Sequence, residues 1–239
     1  MKTNNIVWFD STTPMSTHFN DVYFNSEGAI AETRYVFIEA NKLNERFLAH
    51  TQSIFTIGET GFGSGLNFII AWQQFALFRQ QNPDHPLKQL KFISIEKYPL
   101  QKTELVLIHQ AIFDDQQLIN LAKQLEKQWP CQYYQFGDVI LNVVFGDISQ
   151  FADHLICFNL LVNAWFFDGF SPDKNPDMWS TDLFTKLYQR TASKGTFSTF
   201  TAAGQVRRNL INAGFNVQKY KGYGKKREML VGYKNSSPK

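Results

Sequence analysis

Apolar and polar positions follow two rhythms along this chain, and the switch between them outlines its organisation. From residue 53 onward, short apolar runs alternate with longer stretches of helical spacing. Residues 54–57 predict a short strand, while Leu66, Phe68, Ile69, Trp72, Phe75 and Ala76 share one helical stripe and predict a helix over 66–81. The prolines of Asn82-Pro-Asp-His-Pro86 stop that helix. A strand over 90–95 follows, then helices over 100–112 and 114–129, the second opening on Asp114 and Asp115, where negative charge meets the helix dipole. A strand over 139–145 pairs with a shorter one over 132–136 through the turn at Gly137 and Asp138. After a short helix over 148–155, the most apolar run of the chain, 160–167, predicts a central strand. A helix over 179–192, a strand over 196–200 and a helix over 205–213 capped by Gly214 complete the alternation. Strands over 216–220 and 229–233 have no helix between them and are expected to pair antiparallel.

The first 50 residues read differently. They are polar and aromatic by turns, with Phe19-Asn-Asp-Val-Tyr-Phe24, a turn signal at Ser26-Glu-Gly28, a β-branched and aromatic run over 33–38, and a turn and return over 41–47. They predict a small N-terminal antiparallel β addition (1–50) packed on a main domain (51–233), with a polar tail over 234–239. The strand–helix alternation of the main domain predicts an α/β, Rossmann-like, doubly wound sheet.

Composition supports one folded unit of this size: 44% of the 239 residues are hydrophobic and 23 are Phe, which is enough for a substantial core. Cys131 and Cys157 fit no disulfide framework or metal spacing, and the five histidines form no ligand pattern, so no metal is expected. No run is long and apolar enough for a membrane span, and the opening residues 1–8 lack the apolar core of a signal peptide; a cytoplasmic protein without membrane contact is expected. A net charge of +3 by itself says little about partners.

The chemistry gathers at predicted strand ends, where open α/β sheets bind ligands. Four of those ends are acidic: Glu59, Glu96, Asp147 and Asp168. The first runs into Glu59-Thr-Gly-Phe-Gly-Ser-Gly-Leu-Asn67, whose Gly61, Gly63 and Gly65 let backbone approach a ligand closely. A dinucleotide turn would read G-x-G-x-x-G, and a P-loop would end in Gly-Lys-Ser/Thr. The spacing here is G-x-G-x-G, and Glu59 would repel a pyrophosphate. It suits the cationic amino group of a methionine moiety instead, which points to S-adenosylmethionine. Glu96 is then placed for the ribose hydroxyls and Asp147 for the adenine amino group.

The last strand end opens Asp168-Gly-Phe-Ser-Pro-Asp-Lys-Asn-Pro-Asp-Met-Trp179, a loop stiffened by two prolines. Together with Glu32-Thr-Arg-Tyr-Val-Phe37, the glycine turn through Phe68, Phe92-Ile-Ser-Ile-Glu-Lys97, Phe145-Gly-Asp147 and Lys221-Gly-Tyr-Gly-Lys-Lys-Arg-Glu-Met229, it resembles the methyltransferase domain of the MnmC family of bifunctional tRNA wobble-uridine enzymes. The resemblance runs from about Phe19 to Gly232. It implies a seven-stranded S-adenosylmethionine methyltransferase sheet, with Asn67 and Lys97 counted beside the cofactor residues. It also implies methylation of the aminomethyl group of 5-aminomethyl-(2-thio)uridine in the tRNA anticodon stem-loop. Larger members carry a flavin-dependent oxidoreductase domain that acts first; this chain has no second glycine fingerprint, so methyl transfer alone is expected and the oxidoreductase would be a partner.

Asp168 is the expected catalytic residue: it can accept a hydrogen bond from the attacking amine, and it counts among the cofactor residues as well. Phe170 and Trp179, with Tyr23, offer aromatic faces to positive charge. The stretch Lys219-Tyr-Lys-Gly-Tyr-Gly-Lys-Lys-Arg227 interleaves cations with rings, so Lys219, Lys221, Tyr223, Lys225, Lys226 and Arg227 are expected to grip RNA, extended by Arg207 and Arg208. Two other readings share some of these features. A small-molecule amine transferase of aminopropyltransferase type would share the turn and the acidic strand ends but not the basic loop. A catalytically inactive RNA-binding module would not need Asp168 or the three glycines.

Overall fold

The computed structural model describes residues 6–8, 13–23 and 28–236. The expectations for the chain start, for Phe24, for residues 26–27 of the early turn and for the last three tail residues lie outside the described residues. Strands β1 (Ile6–Trp8), β2 (Pro14–Ser16) and β3 (Asp21–Val22) form a small antiparallel sheet, as the N-terminal pattern predicts.

The next segment corrects the sequence reading. Residues 33–38 are not a strand: helix α1 (Ala29–Thr33) runs on into a π-helical turn (Arg34–Glu39), and α2 (Leu43–Leu48) replaces the expected turn and return. The reason lies in spacing. Ala29, Thr33, Val36 and Phe37 stand at i, i+4, i+7 and i+8 and all are buried, as are Leu43 and Phe47 four apart. Strand preference of β-branched residues is expressed only where a pleated neighbour exists, and the helical face won. Asn41 fastens this segment to the main sheet, donating to Ser198 Oγ (2.6 Å) and accepting from Thr196 Oγ1 (2.6 Å).

The main sheet is α/β as expected. In chain order it comprises β4 (Ile54–Thr60), α3 (Leu66–Gln81), β5 (Gln89–Glu96), α4 (Lys102–Ile112), α5 (Gln116–Gln128), β6 (Tyr133–Phe136), β7 (Val139–Phe145), α6 (Phe151–Cys157), β8 (Val162–Phe166), α7 (Thr181–Gln189), β9 (Thr191–Thr199), α8 (Gly204–Asn212), β10 (Asn216–Lys221) and β11 (Glu228–Tyr233). The strand order is β10-β11-β9-β8-β4-β5-β7-β6, parallel from β9 to β7 and antiparallel at both ends. This is the seven-stranded arrangement with β6 added as an eighth, the hairpin partner predicted over 132–136. Several boundaries shift by a few residues, and the largest shift is at β9, which begins at Thr191, inside the helix expected to reach 192. Thr191 Oγ1 accepts from Trp165 Nε1 (2.8 Å), which draws the chain into pairing with β8.

Alternation along the central strands builds two cores. Phe92 and Phe166 face a core closed by α3, α5 and the N-terminal helices, while Ile93, Trp165 and Phe167 face one closed by α6, α7 and α8. Strand order reverses at β4, between β5 and β8, and that switch point is where such sheets take ligands. Among the described residues no helix is long and apolar enough to cross a membrane.

Candidate active site

The glycine turn leaves β4 at Thr60 and folds over the sheet edge, where Gly61 N and Phe62 N both donate to Ile95 O (3.1 and 3.0 Å). Gly63, at φ 53°, turns its N–H to Glu96 Oε2 (2.9 Å). Gly65, at φ 74°, has no room for a side chain: a Cβ would stand 2.7 Å from the Phe62 ring. Behind the turn, buried His109 donates from Nε2 to Ser64 O (2.8 Å), and its Nδ1 meets Glu126 Oε1 at 2.7 Å.

The four acidic residues fall into three kinds. Glu96 accepts backbone N–H groups, from Gly63 on Oε2 and from Tyr98 on Oε1 (2.8 Å), with the Lys97 N–H also directed at the carboxylate. Burial raises its pKa, and those donors oppose the rise. Asp147 is half-exposed and held at about 2 by Lys97 (2.9 Å) and by the N–H and hydroxyl of Ser149. Glu59 and Asp168 share Asn67, whose amide nitrogen donates to Glu59 Oε1 (2.9 Å) and Asp168 Oδ2 (2.6 Å), while its oxygen accepts from Thr33 Oγ1 (3.1 Å). Glu59 is fully buried, and desolvation raises its pKa well above the ordinary range despite the Ser94 hydroxyl at 2.6 Å.

Asp168 is the carboxylate whose state matters most. Burial raises its pKa to about 6, against the lowering effects of the Gly169 N–H (2.8 Å) and Asn67. Its backbone is clamped by Thr60, whose hydroxyl donates to Asp168 O (2.8 Å) and accepts from Asp168 N (3.1 Å). The side chain keeps an open edge on one large cavity of about 1140 Å³. Small-molecule sites usually fall in the range of roughly 300–1,000 Å³, so a second reactant has room beside a first.

The cavity brings together Gly61, Gly63, Asn67, Glu96, Lys97 and Asp147 on the glycine-turn side. Asp168, Phe170, Tyr223, Lys225 and Lys226 line the rest. Glu59 and Gly65 stand behind this surface. Trp179 is buried in the second core, and its indole N–H holds Phe170 O at 3.0 Å. Lys219 pairs with Glu228 (2.7 Å), and Lys219, Lys221, Arg227, Arg207 and Arg208 do not line the cavity. Glu32, Thr33, Phe19 and Asp21 line it too, although the sequence pattern does not assign them to the site. Phe19 stacks on Phe170 (4.5 Å between ring centroids), Tyr23 meets Phe170 edge-on, and Asp21 Oδ2 accepts from Ser171 N (3.0 Å). The signal for Glu32 and Thr33 is the helical spacing that a strand reading hides.

A family model for S-adenosyl-L-methionine-dependent methyltransferases matches residues 116–235, half of the chain. The chain belongs to that family. S-adenosylmethionine is therefore the cofactor of this methyltransferase. Among solved structures, MNMC2 from Aquifex aeolicus is similar over 100% of this chain and 74% of its own, at 23% identity and a TM-score of 0.79. At that identity the likeness is one of fold, and it extends to the N-terminal segment. TrmN from Thermus thermophilus matches more loosely, over 87% of this chain and 52% of its own at 14% identity and a TM-score of 0.45. So does an S-adenosylmethionine-bound amino pentose methyltransferase from Micromonospora echinaspora, over 89% and 98% at 12% and 0.42.

Proposed function

We propose that this methyltransferase modifies tRNA, transferring a methyl group to the aminomethyl substituent of 5-aminomethyl-(2-thio)uridine at the wobble position. The product is 5-methylaminomethyl-(2-thio)uridine. The observation that carries this reading is Asp168, a carboxylate with a pKa near 6 on the wall of a cavity that also bears Lys225, Lys226 and Tyr223. An amine acceptor needs a base at its nitrogen, and an RNA acceptor needs cations and rings around it. The resemblance to the MnmC family and the likeness to MNMC2 support the same reading. A flavin-dependent oxidoreductase acting earlier would supply the amine.

The donor set fits the cofactor. Glu96 is a carboxylate on the cavity wall whose backbone donors fix its orientation, an acceptor suited to a ribose diol, and Asp147 is an ionised acceptor steadied by Lys97. Gly61 and Gly63 would lie against the methionine portion, with Gly65 shaping the turn and Glu59 acting through Asn67. When bound, the cofactor supplies a methyl group on a positively charged sulfur. The chain does the rest. A primary amine attacks only when neutral: Asp168, ionised above about pH 6, can take the ammonium's proton and release it to solvent in the cavity. The neutral nitrogen can then take the methyl as the sulfonium becomes a neutral thioether, and the carboxylate can pair with the secondary ammonium product. Each Asp168 oxygen already receives one N–H, so its orientation is fixed and a lone pair remains on each for the amine. A positioned base is worth typically about 10²–10⁴-fold, with further gain from alignment. Phe170, locked by Phe19 and Trp179, excludes water and offers a ring face to the moving charge.

The test is methyl transfer by the purified protein to tRNA from cells lacking this modification, read by nucleoside mass spectrometry. Methylaminomethyluridine is expected; its absence, with cofactor bound, overturns the reading.

A further inference from the structure

The cavity holds another carboxylate, one that the chemistry above does not use. Glu32 projects from α1, its side chain 20% exposed, and its Oε1 accepts from Lys226 Nζ at 2.7 Å. Lys226 is itself 48% exposed and sits 4.8 Å over the Phe200 ring. The two residues are 194 positions apart, joining the N-terminal helix to the basic β10–β11 hairpin. That hairpin has a separate anchor: Tyr35 donates to Lys221 O (2.9 Å) and its ring packs on Tyr220 and Tyr223. Lys226 can therefore let go of Glu32 without the hairpin coming away. Glu32 and Lys226 both act on the proton affinity of Asp168, in opposite directions, so the three share one electrostatic field.

We propose that Glu32 is a second substrate-binding carboxylate, which Lys226 exchanges for a tRNA phosphate so that Glu32 receives the substrate's ammonium group beside Asp168. The proposal rests on the substrate reading above and deepens it. A half-exposed ion pair is weak, whereas a phosphate carries more charge and more acceptor oxygens, so the exchange runs forward when RNA arrives. An amine bearing no phosphate cannot trigger it. The site would thus favour the polynucleotide over the free nucleoside by charge exchange as well as by the area it covers.

The experiment compares wild type, Glu32→Gln and Lys226→Gln with three ligands: aminomethyl-tRNA, the same tRNA without the aminomethyl group, and the free aminomethyl nucleoside. S-adenosylmethionine titrations check that each variant is folded. Glu32→Gln should raise KM for aminomethyl-tRNA about 10- to 100-fold, the value of a charge-assisted hydrogen bond, and leave affinity for the amine-free tRNA within about twofold. Lys226→Gln should weaken both tRNAs yet raise kcat/KM on the free nucleoside, because Glu32 is released without a phosphate. If Glu32→Gln matches wild type on aminomethyl-tRNA, or weakens both tRNAs equally, Glu32 does not meet the amine and the proposal fails alone. A wild-type enzyme inert toward aminomethyl-tRNA would overturn the substrate reading and this proposal with it.

Discussion

The two halves of the cavity are built on different principles. On the glycine-turn side, Glu96 is held by backbone N–H groups at positions 63 and 98, and Asp147 by Lys97 and its own helix cap. Those partners come from neighbouring strand ends of one sheet. On the other side, Asp168 is held through Asn67, 101 residues away, Ser171 through Asp21, 150 away, and Lys226 through Glu32, 194 away. The first half is backbone-fixed and ready for a constant ligand. The second is assembled from side chains of distant segments, which suits it to exchange partners and to specialise.

The largest expected effect breaks the second half at its centre. Asp168→Asn removes the proposed base and keeps a single acceptor oxygen for Asn67 or Gly169, its amide nitrogen facing the other donor, so turnover should fall by about 10²–10⁴-fold while S-adenosylmethionine still binds. For the wild type, kcat/KM should decline as pH drops through about 6, where Asp168 gains a proton. Stability should move the opposite way. The folded pKa of about 6 exceeds the ordinary 3.8, so the folded state binds protons more readily than the unfolded chain. The wild type is then destabilised as pH rises from about 4 through 6. Relative to wild type, Asp168→Asn should gain about 1–2 kcal/mol of stability between pH 3 and pH 8, discounted for the wet edge of the side chain. Denaturant titrations at the two pH values check this. An unchanged stability difference between them would show that Asp168 is not held in a desolvated site.

The same contrast explains what could be read from sequence. Glu59, Glu96, Asp147 and Asp168 are visible because each ends an apolar run in a β-α alternation, and a strand end is a local event. The doubly wound α/β sheet follows from that alternation, and the antiparallel pairing of β10 with β11 from the helix-free gap between them. Glu32 is hidden because its segment is rich in β-branched and aromatic residues and only the buried positions 29, 33, 36 and 37 betray a helix. Burial is a property of the partner surface, not of the segment. Trp179 illustrates the converse: a tryptophan after a catalytic-type loop suggests a ring for the substrate, yet its N–H and bulk are spent holding Phe170 from behind. Lone side chains carry no mark of the face they turn to.

The next effect tests the backbone-fixed half. Glu96→Gln keeps the shape but removes charge and leaves the Gly63 and Tyr98 N–H groups competing for one carbonyl oxygen. Affinity for S-adenosylmethionine, measured by calorimetry, should fall about 10- to 100-fold. With the cofactor saturating, kcat should change far less than in Asp168→Asn. A kcat loss comparable to that of Asp168→Asn would show that the two halves are not separable.

The smallest effect separates cations that look alike in sequence. Lys219 and Lys225 both belong to the basic stretch, but Lys219 is paired with Glu228 at 2.7 Å on the β10–β11 ladder, away from the cavity that Lys225 lines. Neutralising Lys225, Lys226 and Arg227 together should weaken tRNA binding and flatten the slope of log affinity against log salt by about 2, since each single-strand phosphate left without its cation takes about 0.7 from the slope. Lys219→Gln should change that slope by less than about 0.3, since Lys219 stands on the β10–β11 ladder away from the cavity where the RNA is proposed to gather. Its cost in stability should stay below about 1 kcal/mol, as for exposed pairs generally. An equal fall in slope per charge at Lys219 and at the other three would mean that the RNA covers the whole hairpin face rather than gathering at the cavity mouth, and the exchange-ready half would then extend well beyond the cavity.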